Sequence, residues 1–460
     1  MKSFFCSIII SLFLLSASAI GQNVTIIGKV NKSNCLIRLF TCEDLLNSEY
    51  TECFLTHSDD DGHFIIHSQI NAVMPAQIAV DLDRIDFVVS PNATYDFQIE
   101  IPSTEDYVSF FEKPLPSLRI KKASDRGLYR QLSDAEDIIN NFILNHFNEI
   151  YRQRKLSYVD SLRDELQQQF PDGMTKYVDD YVEYKLASTK LAIYSDGVQR
   201  VIQQHFDGKK ILYLQPAYMD LFKEVFVHYF WNRKFDTKLF KEAFYKSPEA
   251  LRHYLESADP IIANNKQLAE LILIYNLGKM YHEEPNDREY IIAHLDALEE
   301  NTTQKQHKTI IKNLRKRQSQ FAQGAPAIDF SLNDAEGNKT KLSDFSDRLV
   351  LLQFVDAYAP TIQQQFDKLR QLHEQWQDTV LVITIASHDR FKLYQDKFRE
   401  QKISWPLLNL DDDILLLEKY NVKTFPEYVI IKPGTKIGMA PAPAPDQFLD
   451  YHIRRLYRQQ

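Results

Sequence analysis

The sequence predicts an α+β multidomain protein, with an N-terminal β domain, a central all-α domain and a C-terminal α/β domain. The chain has 460 residues, more than the roughly 250–300 residues at which a single core usually stops growing. Short runs rich in Ile, Val, Phe and Tyr end near residue 103, and from about residue 125 apolar residues recur at helical spacing. Beyond residue 323, strand-like and helix-like segments alternate. We therefore expect three domains with separate cores.

Residues 1–21 are predicted to be a cleavable signal peptide. Lys2 provides a positive charge, residues 8–15 are mostly apolar, and Ala17-Ser18-Ala19 is a small-residue cleavage signal. The apolar run is too short for a transmembrane helix. The sequence therefore predicts an exported protein, periplasmic or attached to the cell envelope, with no transmembrane anchor.

The N-terminal domain, residues 22–103, is expected to be a small β-sandwich-like unit. It holds 4 Lys/Arg against 12 Asp/Glu, and the whole chain carries a formal charge of −9. This balance argues against a nucleic-acid partner. The run Asp59–Gly62 predicts a hairpin turn; calcium at this turn and zinc at its flanking histidines are the alternatives. Neither has a complete ligand pattern, so we predict no metal and no cofactor.

Three cysteines remain after the signal peptide, and all lie in this domain. In an oxidising compartment their number predicts one disulfide and one free thiol. Cys42 and Cys53 flank a polar loop and are the candidate pair, which leaves Cys35 free. The alternative is that all three are small buried apolar residues.

Residues 104–323 are predicted to form the helical domain. Its most apolar helix carries five aromatic side chains that fit one face. They are Tyr218, Phe222, Phe226, Tyr229 and Phe230. This face indicates either core packing or a groove for a partner.

The C-terminal residues carry several motifs in a fixed order. Gly324–Leu332 is followed by Leu342-Ser343-Asp344-Phe345, then by an apolar strand at Leu349–Phe354, and later by Thr424-Phe425-Pro426. These motifs resemble exported bacterial thioredoxin-like proteins related to the TlpA/ResA and peroxiredoxin groups. The resemblance implies a thioredoxin-like α/β domain over residues 324–460, with Pro426 as the cis-proline. It also implies that the run Pro441, Pro443, Pro445 replaces part of a usual hairpin.

The catalytic motif of this family is absent from the chain. Tyr358 keeps an aromatic residue where the family has tryptophan, but the following Cys-x-x-Cys is replaced by Ala359, Pro360, Thr361 and Ile362. Thiol–disulfide exchange needs a thiolate nucleophile, and no cysteine follows Cys53. The sequence therefore predicts a degenerate active site with no catalytic residue, and it favours a protein that is not an enzyme.

A vacant site of this kind can still bind. The expected function is non-redox binding of an extended peptide, or of an envelope protein partner, near the cis-proline loop, with Tyr358, Phe425 and Pro426 as contact residues. The alternative is a thiol-disulfide oxidoreductase that uses the N-terminal-domain cysteines, although none of them is spaced as Cys-x-x-Cys. The adjacent residues Ser387-His388-Asp389 do not form a hydrolase triad, because triad members converge from separated segments. We expect Asp389 to cap a helix instead.

Overall fold

The computed structural model confirms the mixed α+β multidomain architecture. It describes residues 23–102, 115–125, 127–194, 197–232, 234–356, 360–376, 379–413, 415–422 and 424–458. The predicted signal peptide, Tyr358 and Ala359 lie outside these ranges. Within these ranges, no helix has both the length and the apolar character needed to cross a bilayer.

Eight strands form two four-stranded sheets at the N-terminal end. They are β1 (Val24–Val30), β2 (Leu36–Asp44), β3 (Glu49–His57), β4 (His63–Ser68), β5 (Met74–Val80), β6 (Asp83–Val89), β7 (Thr94–Glu100) and β8 (Ser117–Ala123). The strand orders are β4-β1-β7-β8 and β3-β2-β5-β6. Alternate side chains of the two sheets share one apolar core. Gly28 in β1 belongs to this packing, because a Cβ atom there would lie 2.2 Å from the ring of Phe64.

The strand region extends past the boundary predicted at residue 103. Strand β8 pairs antiparallel with β7, from Tyr95 opposite Ala123 to Glu100 opposite Ser117. It is an edge strand whose side chains are mostly exposed. Such a strand has little apolar alternation, which is why its sequence resembles a polar linker.

Eleven α-helices of the described chain follow. They are α1 (Leu128–Asn145), α2 (Leu156–Gln169), α3 (Lys176–Ile193), α4 (Gly197–Val201), α5 (Pro216–Phe226), α6 (Thr237–Lys246), α7 (Pro248–Ala258), α8 (Pro260–Asn264), α9 (Lys266–Glu283), α10 (Arg288–Asn301) and α11 (Lys305–Gln320). Several begin where a side chain accepts hydrogen bonds from the first turn. Asp236, Ser247, Asp259 and Asn265 cap α6, α7, α8 and α9 in this way.

The aromatic face of the helical region is core rather than groove. The five residues on it are between 0% and 3% exposed, and they lie in the largest apolar cluster of this region. Phe226 and Tyr229, for example, pack edge to face with ring centroids 5.2 Å apart. Of the two interpretations of this face, core packing therefore holds.

The C-terminal region is an α/β domain around a seven-stranded sheet. Its elements are β9 (Ser331–Asp334), β10 (Lys339–Lys341), β11 (Leu349–Val355), α12 (Pro360–Trp376), β12 (Val380–Ala386), α13 (His388–Glu400), β13 (Leu407–Asn409), α14 (Leu416–Lys419), β14 (Glu427–Lys432), β15 (Lys436–Ala442) and α15 (Leu449–Tyr457). The strand order is β10-β9-β13-β12-β11-β14-β15. Strand β11 is central, and all seven of its residues are buried because both faces of the sheet are covered.

A hairpin is present near the end of the sheet, and the first proline of the run noted in the sequence lies within it. Strands β14 and β15 pair antiparallel with Tyr428 opposite Ala442, so Pro441 lies within β15. The strand accommodates this proline because its register with β14 is irregular, with shifts on both sides of Ile430.

Candidate functional site

The site is built at the carboxyl ends of the parallel strands β11 and β12. Asp356 follows β11, and Ser387 follows β12. The Ser387 hydroxyl donates a hydrogen bond to the Asp356 carboxylate at 2.5 Å, and the Asp356 side chain is largely buried, at 9% exposed. Ligands of open α/β sheets bind beyond the carboxyl ends of strands, so this polar pair stands where a ligand is expected.

Ser387 also occupies the position preceding helix α13. Its hydroxyl makes no cap hydrogen bond with that helix, because it is engaged by Asp356. The prediction that Asp389 caps the helix is wrong, since α13 already begins at His388.

Helix α12 begins at Pro360, the second residue of the degenerate motif. Proline suits the first turn of a helix, where its missing N–H is not needed. Ile362, which stands where the second family cysteine would be, is 4% exposed and packs into the apolar core on that face of the sheet. The position that would carry a thiol therefore contributes to core packing.

The loop between α14 and β14 leads into strand β14, which pairs with β11. The Phe425–Pro426 peptide bond is cis, as the resemblance implied for Pro426. Phe425 is half-buried and packs against the apolar cluster on the opposite face of the sheet. It also lines a large cleft that the loop helps to form.

This cleft, which we call the junction cleft, has a volume of about 2080 Å³. Asp356, Ser387 and Phe425 line it from the C-terminal domain. The strand region contributes the turn after β2 and the start of β3, including Asn47 and Tyr50. All three regions of the chain therefore meet at one site.

The helical wall of the junction cleft comes from α9, the start of α10, and α11. On it lie Tyr275, Lys279, Arg288, Arg317 and Gln318. Gln318 is 7% exposed, yet neither atom of its side-chain amide has a hydrogen-bond partner among the described residues. Buried amides are normally paired. No pattern in the sequence distinguishes Gln318 from the other polar residues of its helix.

A charged cluster fixes the strand region against the cis-proline loop. Arg38 is fully buried, and its guanidinium donates to the two carboxylate oxygens of Glu418 at 2.7 and 3.0 Å. Arg84 donates to the same carboxylate at 2.7 Å, and both guanidinium groups stack on the Phe40 ring. Glu418 belongs to α14, immediately before the loop, so these contacts hold one wall of the junction cleft in place.

The pKa of Glu418 reflects this environment. Burial alone would raise the pKa of its carboxyl, but the hydrogen bonds from Arg38 and Arg84 outweigh burial and place the pKa below its ordinary value. Glu418 is therefore ionised at neutral pH and neutralises part of the charge of the two arginines.

The three cysteines of the strand region are free. Burial raises the pKa of the Cys35 thiol, whose sulfur lies 3.2 Å from the Ser58 hydroxyl. Cys42 has no exposed surface, and burial raises its pKa to about 12. The Cys53 thiol donates to the backbone carbonyl of Leu39 at 3.3 Å. None of these thiols lies beside a basic group that would favour a thiolate strongly enough to offset burial.

The predicted Cys42–Cys53 disulfide is not formed. Cys42 lies opposite Tyr50 in the β2–β3 pair, so Cys53 is displaced by three residues along β3. That displacement is roughly 10 Å of strand, whereas a disulfide needs Cα atoms within about 7 Å. The bulge at Leu39/Phe40 sets this register, and spacing in the sequence does not reveal it.

We find no group of three or more His, Cys, Asp or Glu side chains arranged to hold a metal ion in the part of the chain that the structure describes. The histidines beside the Asp59–Gly62 turn belong to different strands. His63 pairs within the β1–β4 ladder, and His57 lies at the end of β3.

Comparisons with known proteins agree with this geometry. Residues 323–439 match the model of the AhpC/TSA family. A curated relative is the thiol-disulfide oxidoreductase ResA of Geobacillus thermodenitrificans (strain NG80-2), which is 25% identical over 130 residues, covering 28% of this chain and 74% of the relative.

Solved structures are similar to the same part of the chain. A putative thiol-disulfide oxidoreductase from Bacteroides vulgatus is 21% identical, with a TM-score of 0.28, over 30% of this chain and 99% of that structure. A putative thiol:disulfide interchange protein DsbE from Chlorobium tepidum is 20% identical, with a TM-score of 0.27, over 30% and 99% of the two chains.

The matched residues contain the central strand β11, the helix α12 at its carboxyl end and the cis-proline loop. The family implied by the sequence motifs is thereby confirmed for this part of the chain. Residues 323–439 form a thioredoxin-like domain of the AhpC/TSA family, similar to ResA-type thiol-disulfide oxidoreductases.

Proposed function

We propose that this chain is an exported, non-redox thioredoxin-like protein that binds an extended peptide or a protein partner in the junction cleft. The observation that carries the proposal is the cleft itself. It brings the cis-proline loop together with the strand and helical regions, at a site whose thiol positions hold Ala359 and Ile362. The proposed protein binds its partner in the cleft without thiol chemistry.

The size of the junction cleft supports a polymeric ligand. Pockets for small molecules usually measure roughly 300–1,000 Å³, and this cleft has about 2080 Å³. Its lining mixes apolar side chains such as Leu82 and Phe425 with polar ones such as Asn47 and Gln320. An extended peptide presents the same mixture, with side chains for apolar contacts and a backbone for hydrogen bonds.

The loss of redox activity follows from the composition of the site. A disulfide exchange step begins with attack by a thiolate on a disulfide sulfur. Neither alanine nor isoleucine can supply that nucleophile, and the Ile362 side chain is packed in the apolar core.

The alternative function, oxidoreduction by the N-terminal cysteines, is less well supported. Two of these thiols are buried, and their raised pKa values leave little thiolate at neutral pH. The register separates Cys42 from Cys53, so these two thiols do not form the adjacent pair that exchange through an intramolecular disulfide needs.

Export remains a proposal based on residues 1–21. Lys2, the apolar run and the Ala17-Ser18-Ala19 motif are its support. The domain limits remain proposals too, at residues 22–103, 104–323 and 324–460. The pairing of β8 with β7 favours a first boundary near residue 123.

Selection from a peptide library tests the binding proposal. Random ten-residue peptides without cysteine, displayed on phage, would be selected on immobilised protein that lacks residues 1–21. We expect enriched peptides whose affinity falls at least tenfold for Phe425→Ala and several-fold for Leu115→Ser. Leu115 lines the cleft and is 86% exposed, so its replacement does not compromise folding.

Phe147→Ala is the matched control, because Phe147 is 49% exposed and lies outside the cleft lining. Equal binding of the selected peptides by wild-type, Phe425→Ala and Leu115→Ser proteins would overturn the proposal. A library that yields no enriched sequence would overturn it as well.

A further inference from the structure

The charge of the junction cleft is opposite to that of the protein. The chain has a formal charge of −9, whereas the described residues that line the cleft include eight Lys/Arg and five Asp/Glu. A cleft of one sign within a protein of the other sign attracts ligands that complement it. The charge of the lining therefore indicates which peptides the cleft accepts.

The carboxylates of the cleft are already engaged. Asp81 accepts from Lys32 at 2.5 Å, and Glu418 is held by two arginines. Glu49 lies 3.8 Å from Lys316, and Asp356 accepts from the Ser387 hydroxyl. The three carboxylates paired with cations offer little attraction to a basic ligand, whereas Asp356 keeps its charge but is only 9% exposed.

Four cations of the lining have no such partner. Within the described parts of the chain, no carboxylate lies within 4 Å of Lys279, Arg288, Arg317 or Arg455. Three of them lie on the helical wall, where α9, α10 and α11 meet the cleft. One side of the ligand site therefore carries positive charges that no nearby carboxylate of the described residues neutralises.

The same cations are held in position by neutral groups. The Arg288 guanidinium stacks on the Tyr281 ring, 4.8 Å from its centroid, and its Nε donates to the Tyr281 carbonyl at 3.0 Å. Arg317 donates to the carbonyl of Asn47 at 2.5 Å. Contacts of this kind orient a guanidinium without cancelling its charge, so it remains able to bind a carboxylate.

Gln318 is a second, independent observation on this wall. Its buried amide has neither donor nor acceptor satisfied. An unpaired buried amide is costly for the free protein. One donor and one acceptor together match the N–H and C=O of a peptide main chain, which is the ligand class that the proposed function names.

We propose that the ligand of the junction cleft is an acidic peptide, whose carboxylates bind Lys279, Arg288 and Arg317 and whose main chain pairs with Gln318. This inference rests on the proposed function and specifies its ligand. The ligand is accordingly an extended peptide with Asp or Glu at several positions.

Three peptides test the charge preference. Each is a fluorescein-labelled, cysteine-free decapeptide with the same apolar residues, and alternate positions carry Glu, Gln or Lys. In fluorescence polarisation at 50 mM salt, we expect the Glu peptide to bind about tenfold more tightly than the Gln peptide, and the Lys peptide most weakly. The difference should shrink at 300 mM salt, because the attraction is screened.

Charge variants identify the residues responsible. In the triple variant Lys279→Gln, Arg288→Gln, Arg317→Gln, we expect equal affinities for the Glu and Gln peptides. The control variant Arg152→Gln, Arg252→Gln, Lys266→Gln removes the same charge from exposed helical positions outside the cleft. It should keep the preference for the Glu peptide. A preference lost equally in both variants would show a general charge effect and overturn the assignment of these residues.

Gln318→Leu separates ligand binding from folding. Removing an unsatisfied buried amide should leave the melting temperature of the free protein unchanged or higher. The same change should weaken all three peptides by about tenfold, independently of salt. Unchanged peptide affinity in this variant would overturn the main-chain role of Gln318.

The experiments separate a cleft that binds peptides without a charge preference from a protein that binds no peptide. Equal binding of the three peptides by the wild-type protein, with loss in Phe425→Ala, would overturn the acidic preference and keep the binding function. No binding of any peptide would overturn both.

Discussion

The charged side chain of Arg38 is fully buried where the strand region meets the thioredoxin-like domain. Its partner Glu418 is shared with Arg84 and is 29% exposed. A buried charge without a partner is strongly destabilising, so the carboxylate of Glu418 is needed by both arginines. The interaction lies between residues far apart in sequence, and its strength depends on burial that only the folded protein provides.

Replacing Glu418 by Gln should therefore destabilise the protein by about 3 kcal/mol, because Arg84 loses its counter-charge and Arg38 keeps only the more distant Glu52, at 3.7 Å. The measurement is the free energy of unfolding in urea, at pH 7. Glu336→Gln is the control, since Glu336 is exposed and its replacement should change stability by less than about 0.5 kcal/mol. A loss for Glu418→Gln no larger than that of the control would contradict this account.

The contact between Glu418 and the two arginines also predicts that the stability of the protein depends on pH. The pKa of Glu418 is lowered in the folded protein, so the stability it provides is fully present above its unfolded pKa of about 4.3. That stability is lost as pH falls through the lower, folded value. The difference in unfolding free energy between wild type and Glu418→Gln should be constant from pH 5 to 7 and shrink below pH 4. A constant difference down to pH 3 would contradict the lowered pKa.

The thiols allow a second test at the residue scale. Because burial raises the pKa of Cys42 to about 12, its reaction with an aromatic disulfide reagent at pH 8 should be about a thousandfold slower than that of a free cysteine. Cys42→Ser should remove this slow phase. In denaturant without reductant, the protein lacking residues 1–21 should show three reactive thiols. A count of one would indicate a disulfide and overturn the assignment of free cysteines.

At the scale of elements, strand β11 and helix α12 carry the remains of the active site. The apolar run at Leu349–Phe354 and the proline at the helix start predicted both elements well, because buried central strands and first-turn prolines leave strong sequence signals. Strand β8 was missed, because an exposed edge strand has no apolar face. The Asp356–Ser387 pair was also missed, although a polar residue directly after a largely apolar strand is a usable signal.

Restoring the thiols tests whether the scaffold around α12 is intact. Residue 359 precedes the first turn of α12, where exposed N–H groups lower the pKa of a thiol. The double variant Ala359→Cys, Ile362→Cys should catalyse dithiothreitol-driven reduction of insulin, and the wild-type protein should not exceed the uncatalysed rate.

The single variant Ala359→Cys is the control, since it lacks the second thiol needed for turnover. Catalysis by the wild-type protein, lost when Cys35, Cys42 and Cys53 are changed to serine, would instead support the oxidoreductase alternative.

At the scale of the whole molecule, the junction cleft exists only where the three regions pack together. The sequence predicted the regions and the cis-proline loop, because each follows from local patterning and motifs. It did not predict the cleft, the Arg38–Glu418 contact or the unpaired amide of Gln318, because these depend on how separate domains meet. Among the described residues, Phe425 is the predicted contact residue that also lines the cleft.

If a peptide binds in the junction cleft, hydrogen–deuterium exchange with and without a library-selected peptide should reveal it. We expect the bound peptide to slow exchange in the cis-proline loop around Phe425 and at the carboxyl end of α11, where Gln318 lies. Unchanged exchange in both segments, with protection confined to surfaces outside the cleft, would contradict binding in the cleft.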